Sequence, residues 1–163
     1  MKKIATNSKK IKKNDIFICI HDEMLDRHKF IEEASKKASV LVVDNQDNSL
    51  YKNIYVPIIK VNDTNETLFQ VVNTYYNYPF YKLKLIGVTG TDGKTTTANM
   101  IYQLLNNFYK CAYLGTNGFY FEGYFESTAN TTPDILTITR LAKIAVDNKV
   151  SYLVMEVSSE ALL

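Results

Sequence analysis

Apolar residues come in short runs along this chain, and the runs alternate between two periods. Ile16 to Ile20 is continuously apolar, Ser39 to Asp44 contains Val40-Leu41-Val42-Val43, and Ile54 to Lys60 contains Pro57-Ile58-Ile59. Runs of this length, rich in branched residues, predict buried strands. Between the first two, His28 to Lys37 places Phe30, Ile31 and Ala34 on one helical face. A further helix is expected from Asp63, with Glu66 three residues on as in a capping box, to about Asn77. Pro79 then ends the pattern, because proline disfavours helix at the residue before it.

The second half repeats the alternation. Leu83 to Thr89 predicts a strand, and Thr97 to Phe108 a helix with Met100, Ile101, Leu104, Leu105 and Phe108 at helical spacing. Ala112 to Gly115 is a short strand, and Phe119 to Glu126 predicts a hairpin turning at Glu122-Gly123. Asp134 caps a helix bearing Ile135, Ile138, Leu141, Ala142 and Ala145. Tyr152 to Met155 predicts a buried parallel strand that delivers Glu156 at its carboxyl end. The whole implies an α/β fold in two parts, a small N-terminal α/β module over residues 1–79 and a parallel-sheet domain over residues 80–163.

Composition narrows the function classes. With 46% apolar and 22% charged residues the chain is globular, and a formal charge of +2 gives no argument for nucleic acid. The lysines at 2, 3, 9, 10, 12 and 13 form a solvated N-terminal surface, and Tyr75, Tyr76 and Tyr78 are expected to pack at a helix end rather than to stack on bases. Cys19 and Cys111 lie in apolar runs without metal-ligand spacing, as small buried residues not expected to form a disulfide. No long apolar stretch follows Met1-Lys2-Lys3, so neither a signal peptide nor a membrane span is expected, and the expected location is cytoplasmic.

The chemistry concentrates in Gly90-Thr91-Asp92-Gly93-Lys94-Thr95-Thr96, between a strand and a helix. A glycine-rich turn at a helix N-terminus gathers backbone N–H groups and partial positive charge, which suits phosphate oxygens. Lys94 is placed to reach terminal phosphates and Thr95 to reach a magnesium ion. The pattern G-x-x-x-x-G-K-[ST] would require glycine at 88, where this chain has valine. Glu156, at the end of a parallel strand, should share the loop's rim and supply a second magnesium contact.

These residues resemble a known family. Gly87-Val88-Thr89-Gly90-Thr91-Asp92-Gly93-Lys94-Thr95-Thr96-Thr97 resembles the ATP loop of the Mur ligases, which add amino acids to the peptide of bacterial cell-wall precursors. Asn130-Thr131-Thr132-Pro133-Asp134 and Met155-Glu156-Val157-Ser158-Ser159 resemble the MurE-type branch, the UDP-N-acetylmuramoyl-tripeptide synthetases. Asn7-Ser8-Lys9 stands where that branch shows Asp-Ser-Arg, and Asp26-Arg27-His28-Lys29-Phe30-Ile31 resembles its Asp-Gly-His-x-Phe-Ile. Lys9 departs from the family's arginine, Arg27 from a glycine and Glu160 from a histidine.

The resemblance implies a P-loop ATPase domain over residues 80–163, here only in its first, truncated part. Gly90, Thr91, Asp92, Gly93, Lys94, Thr95 and Thr96 would hold ATP, with Lys94 and Glu156 catalytic and Thr95 and Glu156 on Mg2+. Asn130, Thr131, Thr132 and Ser158 would hold the muramoyl-peptide substrate, and Thr6 and Ser8 the UDP end. The implied partners are UDP-N-acetylmuramoyl dipeptide and an amino acid, either lysine or diaminopimelate. The chain is expected to be the N-terminal portion of such a ligase, without the later catalytic and acceptor regions. Two other readings remain open: an inactive nucleotide-sugar and ATP-binding fragment, and a ligase like folylpolyglutamate synthetase.

Overall fold

The computed structural model describes residues 3–21 and 26–158. They form two compact units, Met1–Val72 and Asn73–Leu163.

The first unit is built on a four-stranded, all-parallel sheet in sequential order, β1 (Ile4–Ala5), β2 (Ile16–Ile18), β3 (Val40–Val43) and β4 (Ile58–Lys60). Side chains alternate across such strands, so Phe17 and Cys19 share a face with Leu41 and Val43. There they pack with Ile31 and Ala34 of the short helix α1 (Ile31–Ser35). The expected helix at 28–37 is split, since Arg27–Phe30 is a 3-10 turn capped by Asp26. Asp15 closes the loop between β1 and β2, its buried carboxylate accepting from the Lys3 N–H at 3.2 Å and the Lys12 N–H at 3.0 Å. Helix α2 (Thr64–Tyr75) begins as expected at Asp63, whose carboxylate accepts from the N–H groups of Asn65 and Glu66. Glu66 instead accepts from Gln70 at 3.0 Å. Both cysteines are buried and free.

The second unit carries a five-stranded sheet ordered β5-β9-β6-β7-β8: β5 (Lys84–Val88), β6 (Cys111–Gly115), β7 (Gly118–Phe121), β8 (Tyr124–Glu126) and β9 (Tyr152–Glu156). β5, β9 and β6 are parallel, and β7 and β8 extend the sheet as antiparallel hairpins. Helix α3 (Lys94–Asn106) covers the face presenting Tyr113 and Val154, with Ala98, Ile101, Tyr102 and Leu105 turned inward. Helix α4 (Ile135–Asp147) covers the other, where Leu141, Ala142 and Ala145 meet Ala112, Leu114, Phe119 and Leu153. Its cap is Asp134, accepting from the Thr137 N–H at 2.9 Å. Of the five apolar positions expected on this helix only Ile101 and Leu105 face the sheet: Met100 and Leu104 are 59% and 66% exposed, and Phe108, beyond the helix end, 81%. Among the described residues no helix is long and apolar enough to cross a membrane.

Candidate functional site

The run Gly90–Gly93 turns the chain from β5 into α3. Gly93 is the helix N-cap with φ of 75°, a left-handed conformation that L side chains adopt at a cost. The helix therefore begins at Lys94, three residues before the apolar pattern predicts, and its first N–H groups lack intrahelical partners. The ammonium of half-buried Lys94 folds back over the loop, donating to the carbonyls of Gly90 at 2.7 Å and Thr91 at 3.1 Å.

Thr95, one residue into the helix, donates to Glu156 Oε2 at 2.8 Å. Glu156 ends β9 with no exposed surface, and its registers with Val88 of β5 and of Met155 with Leu114 of β6 place it between those strand ends. The carboxylate also accepts from the Thr116 N–H at 3.0 Å, from Thr116 Oγ1 at 3.2 Å and from the Tyr113 phenol. Burial pushes the Glu156 carboxyl up, but the hydrogen bonds from Tyr113, Thr95 and Thr116 pull it below the ordinary carboxylate range. Burial, followed by the bond to Glu156, pushes the Tyr113 phenol well above the ordinary tyrosine value. The acid is thus ionised and the phenol protonated at neutral pH.

A second layer joins here. Thr131 Oγ1 lies 3.1 Å from Thr116 Oγ1. Thr132 Oγ1 donates to the Glu156 carbonyl at 3.0 Å and accepts from the Ser158 N–H at 2.8 Å. Lys94, Thr95, Glu156, Thr131, Thr132 and Ser158 are thereby tied into one region of the second unit, with Asn130 and Asp92 exposed beside their neighbours. Ser159 and Glu160 lie outside the described residues.

Thr116 and Tyr113 escaped the sequence reading. Thr116 follows β6 at the same carboxyl edge as Glu156, which is where parallel sheets place ligands. A phenol between Ala112 and Leu114, in an otherwise small and aliphatic strand, was the available signal for Tyr113. The oxygens of Glu156, Thr95 and Thr116 are hard donors of the kind Mg2+ takes, so the residues fit that ion.

In the first unit, Ser8 is 6% exposed and donates to Glu33 Oε2 at 2.8 Å. The Thr6 carbonyl accepts from Arg27 Nη1 at 2.7 Å. Nearby in the chain, His21, Asp26, His28, Asp44 and Asn45 line a cleft of about 270 Å³ at the carboxyl ends of β2 and β3. Buried His28 lies between Asp26 Oδ1 (2.7 Å) and Asp44 Oδ1 (3.2 Å).

Residues 88–163 match the Mur ligase middle domain. The UDP-N-acetylmuramoyl-L-alanyl-D-glutamate–2,6-diaminopimelate ligase of Clostridium tetani (strain Massachusetts / E88) is 44% identical across 98% of this chain and 33% of its own length. The enzyme of the same name from Clostridium botulinum (strain ATCC 19397 / Type A) is 39% identical across 99% and 34%. The corresponding L-lysine ligase of Staphylococcus aureus (strain COL) is 37% identical across 98% and 32%. A solved diaminopimelate ligase shares the fold with a TM-score of 0.71 at 21% identity, over 98% of this chain and 32% of that one. MurF ligase from Thermotoga maritima, solved in complex with ADP, gives 0.56 at 21% identity, over 97% and 32%. The chain spans about a third of the length of the curated relatives it matches. The second unit carries the match to the Mur ligase middle domain, and along its length the chain is similar to the diaminopimelate and L-lysine ligases of that kind.

Proposed function

We propose that this chain supplies the nucleotide-sugar module and the phosphate loop of a cytoplasmic ligase that uses ATP to add the third amino acid, lysine or diaminopimelate, to UDP-N-acetylmuramoyl-L-alanyl-D-glutamate. The observation that carries this reading is the Thr95–Glu156 hydrogen bond, which ties the start of the loop helix to the acid ending the neighbouring strand.

In the reaction, an oxygen of the D-glutamyl carboxylate attacks the γ-phosphorus of ATP, the bond to the β-bridging oxygen breaks and ADP leaves. The amine of the incoming amino acid then attacks the acyl carbon, loses a proton and displaces phosphate. Magnesium, when bound, neutralises phosphate charge. The N–H groups at the start of α3 hold the phosphate oxygens. Lys94 exchanges its loop carbonyls for the terminal phosphates and offsets charge that grows in transfer. Thr95 and Glu156 would hold the ion, while Asn130, Thr131, Thr132 and Ser158 offer neutral donors and acceptors to the muramoyl-peptide substrate. Thr6 and Ser8 serve the UDP end in the first module. Similarity to the MurE-type relatives supports this reading over a folylpolyglutamate-synthetase-like ligase.

The test is calorimetry of ATP and of UDP-N-acetylmuramoyl dipeptide against the chain and its Lys94→Ala variant. Loss of ATP binding in the variant, with circular dichroism unchanged, is expected. A variant that binds ATP as tightly as the unmodified chain would remove the phosphate loop from the site.

A further inference from the structure

The two oxygens of the Glu156 carboxylate are held by different kinds of donor. Oε1 accepts from the Tyr113 phenol and the Thr116 N–H. Neither donor can turn away. The N–H is fixed by the backbone, and the phenol belongs to a fully buried ring stacked 4.8 Å from Tyr120 and set edge-on 6.3 Å from Tyr102.

Among the described residues, Oε2 accepts only from the hydroxyls of Thr95 and Thr116. A threonine hydroxyl rotates and carries lone pairs as well as a proton, so it can turn oxygen toward a cation where an N–H cannot. One oxygen is therefore committed to the protein, while the other sits among groups able to accept a metal.

We propose that Tyr113 is a positioning residue for the divalent cation: its phenol locks Oε1 of Glu156 and leaves Oε2, beside the hydroxyls of Thr95 and Thr116, to serve the metal. The inference rests on the phosphate-loop reading above. It assigns a function to a residue that touches neither nucleotide nor ion. Without the phenol, Oε1 keeps one donor and the carboxylate can rotate about its terminal bond, so the oxygen presented to the cation is no longer fixed.

The experiment titrates ATP into the 163-residue chain by calorimetry, once in excess Mg2+ and once in EDTA, for the unmodified protein, Tyr113→Phe, Tyr120→Phe and Lys94→Ala. The quantity read is the gain in affinity that Mg2+ confers. Loss of an outer partner of a metal ligand costs roughly 10–100-fold in metal affinity. Tyr113→Phe should therefore reduce the Mg2+-dependent gain by about tenfold or more, with the EDTA affinity within about twofold of the unmodified chain. Tyr120→Phe, which removes a hydroxyl bonded to Asn99 from the same ring stack, should leave the gain unchanged. Should the phenylalanine variant not fold, Tyr113→Leu gives the same readout.

An unaltered gain in Tyr113→Phe, or an equal loss in Mg2+ and EDTA, would overturn the inference and leave the loop reading standing. Lys94→Ala binding ATP normally in both buffers would overturn the loop reading, and this inference with it.

Discussion

Gly115 ends β6 at a place where the fold has no room for a side-chain carbon. A Cβ built there lies 2.6 Å from the Tyr113 phenol oxygen and 2.7 Å from Glu156 Cδ. Carbon atoms need about 3.5–4.0 Å for a favourable contact, so Gly115→Ala must displace both neighbours by about an ångström. Tyr113 is fully buried in its ring stack, and Glu156 is held by four hydrogen bonds to its carboxylate. Overpacking in a close-packed interior costs about 1–3 kcal/mol, and a lost hydrogen bond to a charged group about 1.5–3 kcal/mol. Together they give about 2.5–6 kcal/mol. For a domain of this size that is a fall in melting temperature of roughly 10 °C or more. Gly123→Ala is the control, because its φ of 78° carries the left-handed strain of about 1–2 kcal/mol but no atom lies within 4 Å of the new carbon. Urea unfolding followed by near-ultraviolet circular dichroism of the tyrosines measures both. A Gly115→Ala midpoint equal to that of the unmodified chain, or shifted no more than that of Gly123→Ala, would refute the steric argument.

Other outcomes follow from single contacts. Glu126 is held below the ordinary carboxylate range chiefly by its hydrogen bond from Arg140. A carboxyl with a lower pKa folded than unfolded contributes stability above its unfolded value and loses it as pH falls through the folded one. Denaturation at stepped pH should accordingly show the deficit of Glu126→Gln shrinking below about pH 4.5; a deficit constant with pH would contradict the pairing. Burial pushes the Cys19 thiol up to about 12, and both cysteines have no exposed surface, so neither should react with a disulfide reagent at pH 8 until urea unfolds the chain. Prompt release of one equivalent of thiol-reagent chromophore would show either site to be open. Ser8→Ala removes the buried hydroxyl bonded to Glu33 and should lower the stability of the first unit by about 0.5–1.5 kcal/mol. An unchanged unfolding midpoint would mean that water replaces it.

What the sequence made legible was local. The cap at Asp134 and the start of α2 at Asp63 rest on carboxylates accepting from N–H groups two or three residues on, the turn at Glu122-Gly123 on the left-handed φ of Gly123, and each stands where the pattern put it. β1 was missed because Ile4–Ala5 is too short to show a period. The start of α3 was placed at Thr97 because Lys94, Thr95 and Thr96 face the loop and carry no apolar rhythm. The same applies to the site. Gly90 to Thr96 is contiguous and visible, and the end of β9 points to Glu156. Thr116 and Tyr113 reach that acid only through the pairing of Leu114 with Met155, a register across 41 residues that no local pattern carries.

The insertion of β9 between β5 and β6 has a consequence for the order in which this molecule can be made. In the first unit each new strand joins the one just before it, so that sheet can grow as the chain emerges. In the second, β5 has β9 as its sheet neighbour, with Lys84 paired to Tyr152. At roughly 5–20 residues per second of synthesis, the Gly90–Gly93 loop waits several seconds on a strand with no partner. Closing that long segment is entropically the slow step. The event that completes the sheet is also the one that brings in Glu156, so a nascent chain holds no half-built site: loop, hydroxyls and acid come together in a single late step.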